Sequence, residues 1–373
     1  MRMKIDDLFF LCFPGFSPTR SCAENKPSLA LMAILRYTFP EFLFQNEGVF
    51  PVNWFVCALI SLLGWGCADL FYKKGTDEND RYSHLRIAVW VGLVMGVSAV
   101  AMMLIPFDEE LKTPMSPGAL LDNAVKYSPA SLFYIISMVI GYAGLRYMEV
   151  SIISPVQNAS GGLSAVFMTV YFLIVGRLDS VADIFDPLTT IGTVLIVAGV
   201  IALAVVEQRL AREERRLDPP EKKYRFGALA LIFPILYCLF DTLGTAADGI
   251  ILDDEVGLGL GEIDVLILYG LTFLLAGLIA WVFLWIKEKK PYNPFAKSEM
   301  PKALAACCEE FGQVFYVFAM SRNPVLAAPI IASYCVVSVL LGHVFLKEKL
   351  KPAQYACILA VIAGIIVIGF TGD

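Results

Sequence analysis

Ten runs of mostly apolar residues dominate the chain and set what it can fold into. They lie at 53–72, 86–106, 129–148, 150–175, 187–206, 226–248, 264–286, 303–320, 324–346 and 352–370. A spanning helix needs about 20 such residues. Inside lipid a backbone must satisfy its own hydrogen bonds, which leaves only helices and closed barrels. The runs show no alternation of period two, so a barrel is excluded. Pro155, Gly199, Pro234, Pro329 and Gly364 fall inside runs, where membrane helices tolerate them because neighbours re-satisfy the backbone. Composition agrees, with 58% hydrophobic and 17% charged residues and a mean hydropathy of +0.68. Soluble domains sit near 45–50% apolar and about 25% charged. The expected fold is an all-α membrane protein of ten transmembrane helices.

The remaining stretches are few. Residues 1–52 hold two short apolar segments broken by Pro14, Gly15, Arg36 and Pro40. They read as an extramembranous tail, disordered or lying upstream of the native start. Residues 207–225, EQRLAREERRLDPPEKKYR, form the most charged stretch and a Pro-Pro break. This linker divides five helices at 53–206 from five at 226–370.

Other chemistries drop out. A net charge of −6 without a large basic patch argues against nucleic acid. Two distant histidines, His84 and His343, argue against a multi-His metal site. Cys57, Cys67, Cys238, Cys307, Cys308, Cys335 and Cys357 lie in apolar runs and read as small hydrophobes, with no CxxC pair. GLGLG at 257–261 lacks the preceding strand of a nucleotide fingerprint, and there is no Walker A pattern. No cofactor is expected.

The two halves match. IVAGVIAL at 196–203 corresponds to VIAGIIVI at 361–368, each with a proline twelve residues before its glycine: Pro187 before Gly199, Pro352 before Gly364. SIISPVQNAS at 151–160 resembles VLAAPIIAS at 325–333. An offset of 172 to 174 relates Trp65 to Tyr237, Asp69 to Asp241, Met148 to Met320 and Pro155 to Pro329. A repeat of five helices enters the membrane upside down in its second copy. Inverted repeats are a signature of alternating-access carriers, with the site between the halves near the midplane.

Ten helices, a five-plus-five repeat, LRYMEVSIISP at 145–155, FLKEKLKPAQ at 345–354 and VIAGIIVIG at 361–369 together resemble the EamA-type drug/metabolite transporter (DMT) superfamily over roughly 53–370. The resemblance implies small-molecule transport in a multi-pass cell-membrane protein, monomer or homodimer, and leaves the solute open. The family often places a glycine–glutamate pair after the fourth and ninth helices. Here the ninth is followed by Lys347-Glu348-Lys349 and the fourth by Gly176-Arg177.

Ionisable residues at membrane depth are costly and by default functional candidates. Asp241 shares a helical face with Tyr237, and its repeat partner Asp69 stands four residues after Trp65. Lys73, four further on, offers Asp69 a structural ion pair instead. Excluding Glu309 and Glu310 from lipid would leave the eighth helix only FGQVFYVFAM, about 15 Å long, or half a bilayer core. The pair therefore enters the membrane, with Gln313 on the Glu309 face. Gln157, Asn158 and Ser160 follow Pro155, and Tyr334 and Tyr316 add aromatic surface.

The expected substrate contacts are Trp65, Gln157, Asn158, Tyr237, Asp241, Glu309, Gln313 and Tyr334, with Glu310 and Asp69 as proton-coupling groups and no metal ligands. Glu309, Glu310 and Asp241 are expected to border one cavity. Arg146 and Glu149 are expected to pair at the membrane surface. Acids at depth without bases favour a cationic or zwitterionic solute or proton exchange. A neutral sugar or nucleoside, held by the amides and tyrosines, is the alternative. A membrane enzyme lacks a nucleophile–base or metal set, and a scaffold would not need four acids at depth.

Charge orients the bundle. Of the 29 Lys and Arg, 20 lie in the loops after helices 1, 3, 5, 7 and 9 or, as Arg86 and Arg146 do, at the helix ends bordering them. The positive-inside rule puts those loops in the cytoplasm and both tails outside, opposite to the usual orientation of the family. Reporter fusions after Asp373 should report the outer face, and fusions within 207–225 the cytoplasm. A cytoplasmic C-terminus would overturn the orientation.

Overall fold

The computed structural model describes residues 53–77, 79–105, 116–145, 156–217, 232–346 and 350–371. The tail at 1–52, Pro155 and the Arg146–Glu149 pair lie outside them. Regular structure among the described residues is helical throughout. The first set of helices is α1 Trp54–Gly75, α2 Ser83–Leu104, α3 Pro117–Gly144, α4 Ser160–Val175 and α5 Pro187–Leu217. The second is α6 Ile232–Ile251, α7 Glu262–Glu288, α8 Met300–Met320, α9 Pro324–Ala332, α10 Tyr334–Leu341 and α11 Pro352–Thr371. Nine spans are long and apolar enough to cross a membrane, counting Pro324–Phe345 as one, and the shorter α4 is a tenth apolar helix among the described residues.

Three departures from the hydropathy reading have local causes. First, α3 starts well before the apolar run. Ser116 accepts a hydrogen bond from the Ala119 amide at 3.2 Å, Pro117 occupies the first turn, and Lys126 pairs with Asp122 at 2.7 Å. Capping and an i,i+4 pair extend the helix through polar residues. Second, α5 runs past Glu207 to Leu217, because the charged residues there are good helix formers up to the prolines. At its start Asp186 accepts from the Leu188 amide at 2.7 Å and from the Thr189 hydroxyl at 2.6 Å. The Thr189 hydroxyl holds this carboxyl below the usual range. Third, the ninth run is broken. The Ser333 amide closes a tight turn on the Ile330 carbonyl at 3.1 Å, dividing α9, which contains Pro329, from α10, and a π-helical turn follows at Gly342–Leu346.

The principal packing pairs are α1 with α8, α2 with α7, α3 with α6, α4 with α9 and α5 with α11. Each joins one set to the other. With α9 and α10 counted as one broken helix, the pattern is unchanged when the sets are exchanged. Helix α8 is buried along nearly its whole length and α9 along all of it. Leu163, Val166, Val170 and Ile174 of α4, and Leu359, Ile366 and Phe370 of α11, are exposed, forming an apolar outer belt of the kind lipid covers.

Loop contacts tie one end. Arg86 pairs with Asp80 at 2.7 Å and with Glu288 at 2.5 Å, and its guanidinium lies 4.6 Å from the Tyr292 ring centroid. The Tyr292 hydroxyl donates to Glu299 at 2.7 Å, and Glu299 pairs with Lys302 at 2.8 Å. Burial, and then the Glu299 acceptor, push the Tyr292 phenol well above its ordinary range.

Helices α2 and α7 meet at backbone contact. A Cβ added to Gly92 would lie 2.8 Å from the Gly277 Cα and 2.5 Å from the Phe273 carbonyl oxygen. Small residues permit such approach in membranes, where close packing replaces the hydrophobic drive between helices. Gly92→Val should lower stability by about 1–3 kcal/mol through overpacking, read from thermal unfolding in detergent. Unchanged unfolding would show that the contact does not bind the sets together.

Candidate substrate cavity

A cavity lies between the two helix sets, with about 840 Å³ of empty space counting its open part. Trp65, Asp69, Gln157, Asn158, Tyr237, Asp241, Glu309, Gln313 and Tyr334 all line it. The structure therefore gathers onto one surface residues that stand far apart in sequence. Helical spacing does much of this locally. Trp65 and Asp69 lie one turn apart on α1, as do Tyr237 and Asp241 on α6, so each aromatic ring and its acid share a face.

The same device holds both aromatics. Trp65 lies over Gly312 of α8 and Tyr237 over Gly141 of α3. A Cβ at Gly312 would sit 2.5 Å from Trp65 Cδ1, and one at Gly141 would sit 2.7 Å from Tyr237 Cδ2. Trp65 also donates its indole N–H to the Glu309 carbonyl oxygen at 3.2 Å. Its ring stacks on Tyr316 at 5.2 Å and meets Tyr334 edge-on at 5.8 Å.

Each carboxyl group is held by hydroxyls. Ser160 donates to Asp241 Oδ2 at 2.6 Å, and Ser338 donates to Asp69 Oδ2 at 2.8 Å. The Tyr142 hydroxyl lies 3.0 Å from Glu309 Oε2 and 3.3 Å from the Tyr72 hydroxyl. No Lys or Arg is among the described lining residues. Three acids without a described base, Glu309 buried and Asp69 and Asp241 half-buried, make a field that favours a cation. The surrounding rings present faces suited to cation–π contact. Gln157 Nε2 and Gln313 Nε2 are buried without hydrogen-bond partners, leaving amide donors for an acceptor group. No group of three or more His, Cys, Asp or Glu is placed to hold a metal among the described residues.

Glu310 departs from the expected arrangement. It is buried but does not line the cavity; it lies against Ser98 of α2. Successive residues on a helix point about 100° apart, so its neighbour Glu309 faces the cavity while Glu310 faces away. The expectation that Glu309, Glu310 and Asp241 border one cavity is corrected for Glu310.

Several lining residues escape the sequence reading. Tyr134, Met138 and Tyr142 of α3 and Leu145 at its C-terminal cap line the wall, and their spacing of three to four residues is a helical stripe that the sequence does display. Tyr72 and Tyr269 carry no comparable signal. Two acids bordering the segment between the sixth and seventh runs, Asp248 at the end of one and Asp264 at the start of the next, are fully buried on α6 and α7. Both helices extend further into that segment than apolarity indicates.

The apolar helices are those of a multi-pass membrane protein. Residues 256–370 match the EamA-like transporter family, part of the DMT superfamily. Twenty-two solved chains are similar. One of them, described only as a protein crystal structure, aligns with a TM-score of 0.54 at 15% identity, over 86% of this chain and 97% of its own. Identity this low speaks to the fold alone. No curated protein matches the sequence.

Proposed function

We propose that the protein is a secondary carrier of the cell membrane that moves a small cationic or zwitterionic organic solute by alternating access. The observation that carries this reading is the cavity between the helix sets, lined by Asp69, Asp241 and Glu309, with aromatic walls and no Lys or Arg among the described lining residues. A protonated amine would sit among the carboxylates, where charge-assisted hydrogen bonds are strongest. The free amide donors of Gln157 and Gln313 would take an acceptor at the solute's other end, as a zwitterion offers. The same donors favour a second reading, a neutral polyol or nucleoside, which leaves the acids for protons alone.

Alternating access would follow from an inverted repeat of 53–206 and 226–370. Supporting it are the packing pattern that survives exchange of the sets and the paired placements of Trp65 on Gly312 and Tyr237 on Gly141. Proton exchange would use Asp69 inside the cavity and Glu310 behind its wall.

Uptake from a solute panel into proteoliposomes, with and without a pH gradient, tests the reading. Cationic or zwitterionic solutes should accumulate. Asp241→Asn should weaken their apparent affinity roughly tenfold or more, the scale of a lost hydrogen bond to a charged group. Glu310→Gln should leave downhill exchange intact and remove gradient-driven accumulation. Uptake of neutral solutes only, unaffected by Asp241→Asn, would favour the second reading.

A further inference from the structure

A carboxyl group that the cavity does not expose lies beyond one end of it. Along α3 the cavity is lined from Leu145 back to Tyr134. Tyr127, about two turns before Tyr134, donates its hydroxyl to Asp248 Oδ1 at 2.8 Å. Asp248 is 0% exposed. It stands seven residues beyond Asp241 on α6, about 10 Å along the helix. Its second oxygen, Oδ2, is buried without a hydrogen-bond partner.

The groups facing Asp248 are Tyr127 and Tyr134 from α3 and Tyr316 from α8, with Asp241 on its own helix; Tyr269 of α7 also feels its charge. None of these is basic. Helices α4 and α9 bring Met168 and Pro324 against the adjoining Gly249. Tyr134, Tyr269 and Tyr316 belong to two structures at once, since all three also line the cavity. The Tyr134 and Tyr316 hydroxyls are 2.5 Å apart, Tyr134 also reaches the Thr245 hydroxyl at 3.2 Å, and the Tyr269 ring meets Tyr134 edge-on. These rings form a plug between the cavity and the buried acid.

An ionised carboxylate in this place would have only tyrosine hydroxyls for donors and no countercharge among the described residues. Burying an unpaired charge costs far more than burying a hydrogen-bonded neutral group. The neutral acid fits every neighbour. Its carbonyl oxygen accepts from Tyr127, and its O–H can turn to the Tyr134–Tyr316 hydroxyl pair, which links it to the cavity. Losing the proton would require water or a cation to reach Asp248, and the tyrosine plug would have to part to admit either.

We propose that Asp248 is a second proton-binding site, separate from the solute cavity, which keeps the tyrosine plug closed while protonated and opens it on ionisation. Its role in a transport cycle rests on the carrier reading; the coupling of its protonation to plug opening does not.

Hydrogen–deuterium exchange of the full-length protein in detergent, followed across a pH series without solute, reads the plug directly. After correction for intrinsic exchange, wild-type peptides covering 124–134 and 242–252 should show a rise in exchange with a defined midpoint. Asp248→Asn, which keeps the shape of the acid without its titration, should stay protected throughout. Tyr127→Phe removes a donor to the charged form and should move the midpoint up by about one pH unit; it gives a second reading should Asp248→Asn misfold. A wild-type plug indifferent to pH, a pH response surviving in Asp248→Asn, or a plug that answers to Na⁺ at fixed pH would overturn the proposal. Failure of solute uptake would count against the carrier reading and leave this measurement standing.

Discussion

Every principal packing pair joins a helix of the first set to one of the second. Lipid gives apolar helices no hydrophobic reason to prefer one another, so association must come from close packing and from hydrogen bonds across the interface. Glycines supply the first, with Gly92 and Gly277 bringing α2 and α7 to backbone contact. Hydroxyls supply the second, as Ser160 reaches from α4 to Asp241 and Ser338 from α10 to Asp69. The cavity lies where this interface is interrupted. Trp65 and Tyr237 rest on glycines of the opposite set, and their acids one turn on face the space left between.

Acids in such a place need partners, and the hydrogen-bond partners described for them are neutral. Serines hold Asp69 and Asp241, while tyrosines hold Glu309 and Asp248. Neutral donors satisfy lone pairs without cancelling charge, so the field toward a cation persists. Had arginines filled these places, the acids would be structural ion pairs, as Arg86 with Asp80 and Glu288 are at the loop end. The contrast separates groups used to fix the ends from groups left able to receive something.

Apolar runs made the helices legible, because continuous hydropathy over 20 residues has few other uses. Offsets between halves singled out Trp65, Tyr237, Asp69 and Asp241, and the cost of charge in lipid singled out Glu309. What stayed hidden has physical causes. Hydropathy sees only the lipid-matched part of a helix, so the capped polar start of α3 and the outermost residues of α6 and α7 read as loop, and Asp248, the last residue of its run, reads as a helix end instead of a buried group. The face of Glu310 depends on the rotation of α8, which pairing with α1 fixes and sequence alone does not. Tyrosines such as Tyr72 and Tyr269 are ordinary in apolar runs until tertiary packing turns them inward.

The correspondences between the halves also show where they part. Three residues before Gly141 stands Met138, and three before Gly312 stands Glu309; seven beyond Asp69 stands Thr76, and seven beyond Asp241 stands Asp248. In each case the second set carries an acid where the first has a neutral side chain. Under the proposed repeat, Trp65 with Asp69 and Tyr237 with Asp241 would form a frame that looks alike from either face. Glu309 and Asp248 break that likeness, because Asp248 is sealed behind tyrosines beyond one end of the cavity while Thr76 merely donates to the Tyr72 carbonyl. A symmetric frame lets two arrangements of the helices be close in energy, whereas an acid on one side only makes their balance depend on protons. Direction in such a carrier would come from the residues that the repeat does not share.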